Sequence, residues 1–173
     1  MRPALLLAIL VVAAGCGSDE PPGPDKTFQG PGYSFSYPGN WEEREPDPGA
    51  DSADVQIAPE PGGAGISVGT FEVSEAITAA NIDDHGDELI SAAAAFIQST
   101  GAGVASPEGD VASSTVAGLP GVEFAGSSAE AETRVAWFFD GTTTYAVVCR
   151  SPSDSDADVD AACDKMLSTF DVD

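Results

Sequence analysis

The chain is predicted to fold as an α+β domain in which strands outnumber helices. Three observations carry that expectation. Apolar and polar residues alternate with period two in several short runs, clearest in Tyr33-Ser34-Phe35-Ser36-Tyr37 and Ile66-Ser67-Val68-Gly69-Thr70-Phe71-Glu72-Val73. Two segments, residues 82–99 and 156–168, switch to helical spacing. Clusters of Gly, Pro, Asn and Asp separate these runs, where the backbone must turn. A length of 173 residues suits one domain, and a hydrophobic content of 42% is enough for a core.

The first sixteen residues stand apart. A basic start, Met1-Arg2, precedes an apolar run over residues 4–14, then Ala13-Ala14-Gly15-Cys16 and polar sequence. This order is that of a secretory signal peptide. The eleven-residue run is too short for a retained transmembrane helix, which needs roughly 20 residues. The small residues ending on a cysteine resemble the lipobox of bacterial lipoproteins. That resemblance implies cleavage before Cys16 and a diacylglyceryl group on its sulfur, placing the chain on the extracytoplasmic face of the cell membrane. A cleaved leader with a coincidental cysteine is the alternative, and the position of Cys16 at the end of the apolar run argues against it. Residues 16–27 read as a flexible tether, because Pro21-Pro22-Gly23-Pro24 supports neither a helix nor a paired strand. The folded domain is expected to span residues 28–173.

Within that domain the elements follow in order. Residues 33–37 form a half-buried strand, Pro38-Gly39-Asn40 a turn, and residues 41–44 a short second strand. Residues 55–57 and 66–73 are strands joined across the Gly/Pro-rich stretch 59–65. A helix is expected over residues 82–99, with Ile82, Leu89, Ala93, Phe96, Ile97 and Thr100 on one face. Asn81 is its expected N-cap, with Asp83 and Asp84 at the positive dipole end and Gly101 as the stop. Strands resume over residues 111–116, 122–124 and 133–139. Asp140-Gly141 is the clearest hairpin turn, returning as a strand over residues 142–149. A last helix from about Asp156 to Ser168 turns Val159, Cys163, Met166, Leu167 and Phe170 inward.

Two of these segments carry a further resemblance. Gly32-Tyr33-Ser34-Phe35-Ser36-Tyr37-Pro38-Gly39-Asn40-Trp41 is similar to the opening signature of the PsbP/Mog1 superfamily, and Met166-Leu167-Ser168-Thr169-Phe170-Asp171-Val172 resembles its closing helix and strand. The resemblance covers most of residues 28–173 and is specific at the two ends. It implies a central antiparallel sheet flanked by helices. It also makes a binding or assembly module the default function, with another envelope protein or a small ligand as partner. The lipobox adds a likeness to the actinobacterial LpqN-type envelope lipoproteins within that superfamily. In photosynthetic members the domain supports a manganese–calcium centre, and no residue here carries that role across. Trp41 and Pro38 have a structural reading of their own. Trp41 covers the core where the first strand turns and Pro38 ends the ladder, rather than the pair stacking on a ligand.

Charge narrows the partners. There are 29 acidic residues against six Lys and Arg, a formal charge of −23; loss of Arg2 with the leader makes it −24. Nucleic acid is excluded as a partner, because gripping phosphates needs clustered bases, and Lys26, Arg44, Arg134, Arg150 and Lys165 are scattered. The acidity serves solubility, or adaptation to salt and divalent cations. Of three cysteines, lipidation of Cys16 leaves Cys149 and Cys163, which an oxidising compartment would pair. Two buried free thiols are the alternative. No C-x-x-C motif points to redox chemistry.

The residues show no catalytic constellation. His85, the single histidine, sits in Asp83-Asp84-His85-Gly86-Asp87, which reads as a solvated helix start. A zinc site needs three or four ligands, usually His and Cys. Asp154-Ser155-Asp156-Ala157-Asp158 begins like a calcium loop, but Val159 and Lys165 stand where Gly and Glu are required. There is no G-x-S-x-G elbow and no phosphate loop with a following Lys; Gly62-Gly63-Ala64-Gly65 reads as a turn. No cofactor is expected. A carboxylate-dependent envelope hydrolase and a weak divalent-cation binder stay as the alternative functions.

Overall fold

A computed structural model describes residues 23–46, 53–59, 63–99, 108–127, 129–154 and 157–173. Cys16, the leader, residues 16–22 of the tether, Thr100 and Gly101 lie outside them, as do the side chains of Phe96 and Ile97. The elements are β1 (Lys26–Gln29), β2 (Tyr33–Tyr37), β3 (Glu42–Arg44), β4 (Val55–Ala58), β5 (Gly65–Ile77), a 3₁₀ turn (Ile82–His85), α1 (Gly86–Ser99), β6 (Glu108–Val116), β7 (Leu119–Ser127), β8 (Ala131–Pro152), α2 (Val159–Thr169) and β9 (Asp171–Val172).

These strands form two antiparallel sheets. The smaller runs β1-β2-β9 and the larger β3-β4-β5-β8-β7-β6. β8 contributes two arms to the larger sheet, folding back at Asp140-Gly141. Phe138 and Tyr145 stack with ring centroids 5.5 Å apart, whereas seven residues of extended strand would separate them by about 23 Å. The Ser153 amide also donates to the Glu130 carbonyl at 2.9 Å. The first arm pairs with β7 (Phe124 opposite Val135) and the second with β5 (Val68 opposite Val147). The expected hairpin is therefore present. Gly141 takes φ +64°, while Asp140 is not among the positive-φ residues, so one residue of the turn rather than both carries the left-handed conformation.

Both faces of the larger sheet are buried. On one face Ile57, Ile66, Val68, Ala136, Phe138, Tyr145 and Val147 meet Tyr33, Phe35 and Tyr37 of β2 and Val159, Cys163, Met166 and Leu167 of α2. On the other, Val122, Phe124, Val135, Trp137, Phe139, Ala146 and Val148 lie under Ile82, Leu89 and Ala93. The period-two register produces this division, since neighbours along β8 point to opposite faces. The helices thus flank a central antiparallel sheet, as the α+β expectation required.

Three local details depart from the sequence reading. Chain order begins earlier than Phe28: β1 starts at Lys26, and Lys26 lies opposite Tyr37. The helix of residues 82–99 opens as a 3₁₀ turn, and Asn81 makes no capping bond. Its side-chain oxygen instead accepts from the Thr78 amide (2.7 Å) and hydroxyl (2.9 Å), closing the turn after β5. Third, β6 and β7 join through Ala117-Gly118, with φ of 53° and 80° and Val116 opposite Leu119. Two left-handed residues make this a type I′ hairpin turn, and alanine is poorly suited to the first of them. Ala117→Asn should raise stability by about 0.5–1 kcal/mol, read as a shift in urea midpoint at unchanged slope. A neutral or lower midpoint would mean the Ala117 backbone carries no strain.

Candidate functional site

The largest cavity among those described lies where the chain enters the domain. Pro38 ends β2, and the Trp41 amide donates to the Pro38 carbonyl at 2.9 Å, forming a tight turn. A Cβ on Gly39 would strike the Pro24 carbonyl oxygen, so this turn is packed directly on the incoming segment. Lys26 Nζ donates to the Trp41 carbonyl at 2.8 Å. Lys165 of α2 grips both oxygens of Asp25 at 2.7 Å. Asp158 Oδ1 accepts from the Ala161 amide at 3.0 Å and so starts α2. Between these pieces runs an open groove of about 540 Å³, walled by Pro24, Pro38, Trp41 and Pro59 on one side and Ala157, Ala161 and Lys165 on the other. Its volume falls within the range of small-molecule pockets, and its lining is more apolar than polar.

Trp41 takes the core-packing role expected of it. Its side chain is buried in the first core and its surface is part of the groove wall. The groove's two carboxylates both have partners within the fold, Asp25 through Lys165 and Asp158 through the Ala161 amide.

A smaller cleft of about 300 Å³ lies between the β7–β8 end of the sheet and α2, lined by Glu132, Arg134, Cys149, Ser151 and Asp160 among others. Arg134 donates through Nε (3.1 Å) and Nη2 (2.9 Å) to Glu123 Oε2 and through Nη1 to Asp164. Burial works to lower the Arg134 pKa; Asp164 and Glu123 outweigh it and leave it raised. With both sides of its fork occupied by carboxylates, this guanidinium clamps helix to sheet and is not an anion site. Beside it Cys149 and Cys163 lie at disulfide distance, their Cα atoms 6.1 Å apart. Helix α2, one wall of the groove, is thus fastened to the sheet twice.

Carboxylates also hold two of the three tyrosines. Tyr33 OH donates to Asp54 Oδ2 at 3.3 Å, and Thr70 Oγ1 donates to the same oxygen at 2.9 Å. Tyr37 OH donates to Glu43 Oε1 at 2.7 Å. Burial, then the bond to Glu43, pushes the Tyr37 hydroxyl up to about 12. Burial and Asp54 raise Tyr33 further, and burial with Asp140, Asp173 and Glu72 raises Tyr145. Each folded pKa lies above its unfolded value, so the associated stability is complete below about pH 10 and is lost as pH rises through the folded values. Phenolate absorbance of the native protein should therefore rise at higher pH than that of the urea-denatured chain, which titrates near 10, with Tyr37 appearing at about 12. A native midpoint near 10 for any tyrosine would show that its hydroxyl is open to water.

The other sequence candidates do not come together. His85 Nδ1 lies 3.4 Å from Glu88 Oε2 on the same helical segment, and Asp83 Oδ1 accepts from Ser113 Oγ at 3.4 Å. Among the described residues no three His, Cys, Asp or Glu side chains are grouped as metal ligands. Of the calcium-like run, residues 155 and 156 lie outside the described residues and Asp158 acts as a helix cap. Sequence reasoning missed the contacts Asp25–Lys165 and Lys26–Trp41, which shape the groove. Two charges in a proline-rich stretch carry no periodic signal, and their partners are up to 140 positions away.

The two sheets and flanking helices define a PsbP-like fold. The solution structure of cyanobacterial PsbP (CyanoP) from Synechocystis sp. PCC 6803 is similar to this chain with a TM-score of 0.61, covering 93% of this chain and 99% of that one. The identity is 16%, so the likeness is one of fold. Neither a family model nor a curated protein matches the chain.

Proposed function

We propose that the chain is a lipid-anchored extracytoplasmic module that binds another component of the cell envelope, with no chemistry of its own. The observation that carries this reading is the groove bounded by Trp41 and α2, which opens beside Gly23, where the tether joins the domain. A short tether would keep such a site within reach of components at the anchoring surface. Cys16 behind an apolar run supports the anchor, and the Cys149–Cys163 pairing distance fits an oxidising compartment. No helix among the described residues is long and apolar enough to cross a membrane. Cys16, by its lipobox-like setting, is the anchor we assign.

The test places a photo-crosslinking residue at Ala161 in the full-length protein within intact membranes. Capture of one stoichiometric partner, reduced when crosslinking is moved to Asp140 on the far hairpin, is the expected result. Equal, diffuse capture from both positions would overturn the assignment of the groove. In parallel, Cys16→Ser should shift the protein from the detergent phase to the aqueous phase and remove the mass of the lipid. Unchanged partition and mass would end the anchoring part.

A further inference from the structure

The groove's surroundings bear on the chemistry of its occupant. Of the five bases downstream of the leader, four are engaged within the fold: Lys26 with the Trp41 carbonyl, Arg134 with Glu123 and Asp164, Arg150 with the Gly63 carbonyl, and Lys165 with Asp25. Their positive charge is locally satisfied, while 29 acids populate the chain. At the groove itself, Lys165 and Asp25 neutralise each other, leaving exposed Asp158 as the surplus charge on the rim. Asp158 uses Oδ1 for its capping bond, and its carboxylate is otherwise exposed. The walls between are apolar: proline rings, the Trp41 surface and the methyl groups of Ala157 and Ala161.

We infer that the groove between Trp41 and α2 docks a short basic segment of a partner protein, an apolar side chain seated against the prolines and an adjoining Lys or Arg reaching Asp158. The inference rests on the binding-module reading and specifies its ligand. An acidic or phosphorylated segment would meet Asp158 and the field of the whole acidic surface as repulsion, which falls away only over a screening length of about 8 Å at physiological salt. A second copy of this equally acidic chain is disfavoured for the same reason. The volume of about 540 Å³ accommodates a few side chains rather than a folded surface.

The experiment uses the full chain and a fluorescein-labelled nonapeptide with a leucine-proline centre and lysines on both flanks, titrated by fluorescence anisotropy at about 0.15 M salt. Two control peptides carry glutamates for the lysines, or glycines for the leucine and proline. Saturable binding of the first peptide, about tenfold weaker for either control, is expected. Ala161→Tyr, at an exposed helix position, should fill the groove and weaken binding about tenfold. Asp158→Asn keeps an equally good cap and should weaken it about threefold, with an unchanged melting temperature. Equal binding of the glycine control would reduce the effect to diffuse charge attraction and overturn the inference. So would equal binding of the glutamate control, indifference to Ala161→Tyr, or silence of the full chain. A failed titration together with successful crosslinking from Ala161 would overturn the basic ligand alone and leave the binding-module reading standing.

Discussion

Phe170→Ala should destabilise the domain by about 3–5 kcal/mol, the largest effect expected of a single side chain here. Phe170 follows α2 in an extended conformation and is 5% exposed. Its ring lies 4.7 Å from Phe138, 5.3 Å from Tyr33, 5.7 Å from Tyr145 and 5.9 Å from Phe35, centroid to centroid. One ring therefore joins the small sheet to both arms of β8. Truncation leaves a void between two sheets and a helix, none of which can close in without disturbing the register of the others. Urea denaturation followed by tryptophan fluorescence measures the loss. A change below about 1 kcal/mol would mean that the surrounding rings repack, and that Phe170 is not the hinge pin of this core.

Replacing both Cys149 and Cys163 with alanine should cost about 2–5 kcal/mol. The two residues are 14 positions apart, and in the chain-entropy account closing a loop of that size contributes about 3 kcal/mol. Both are buried, at 3% and 1% exposure, so lost packing adds to the effect. The consequence extends to the groove: α2 would then be held to the sheet by Arg134 and apolar contact, and crosslinking from Ala161 should fall with stability. Thiol titration of the denatured, unreduced wild-type protein supplies the check. Two reactive thiols per chain beyond any from Cys16 would mean the pair is reduced.

The ordinary parts of this fold were legible because they depend on neighbours in sequence. The alternation in Tyr33–Tyr37 places three aromatics on one face wherever the strand goes, and the Val159–Thr169 helix shows its buried stripe without a partner in view. Asp140-Gly141 punctuates β8 for equally local reasons. Ala117-Gly118 does not announce itself, because the register Val116–Leu119 imposes the turn on a residue with little preference for it. Asn81 departs from its expected capping role for a related reason. Its side chain can cap a helix or close a preceding turn, and the position of Thr78 at the end of β5 decides between them.

What the sequence determined by itself is the class of most elements, the apolar faces of strands such as Tyr33–Tyr37 and of the last helix, the acidity of the chain and the cysteine left for Cys149 to meet. These follow from side-chain chemistry and from the fixed periods of helix and strand, which hold whatever the fold. Tertiary structure alone decided that both faces of the large sheet are buried. It also recruited the end of the tether through Lys26 and Asp25, and engaged four of the five bases downstream of the leader in contacts within the fold. The groove belongs to this second group. Its walls come from residues 24 to 165, and a concavity built across that separation exists only once β2 and α2 have been brought together by the core beneath them.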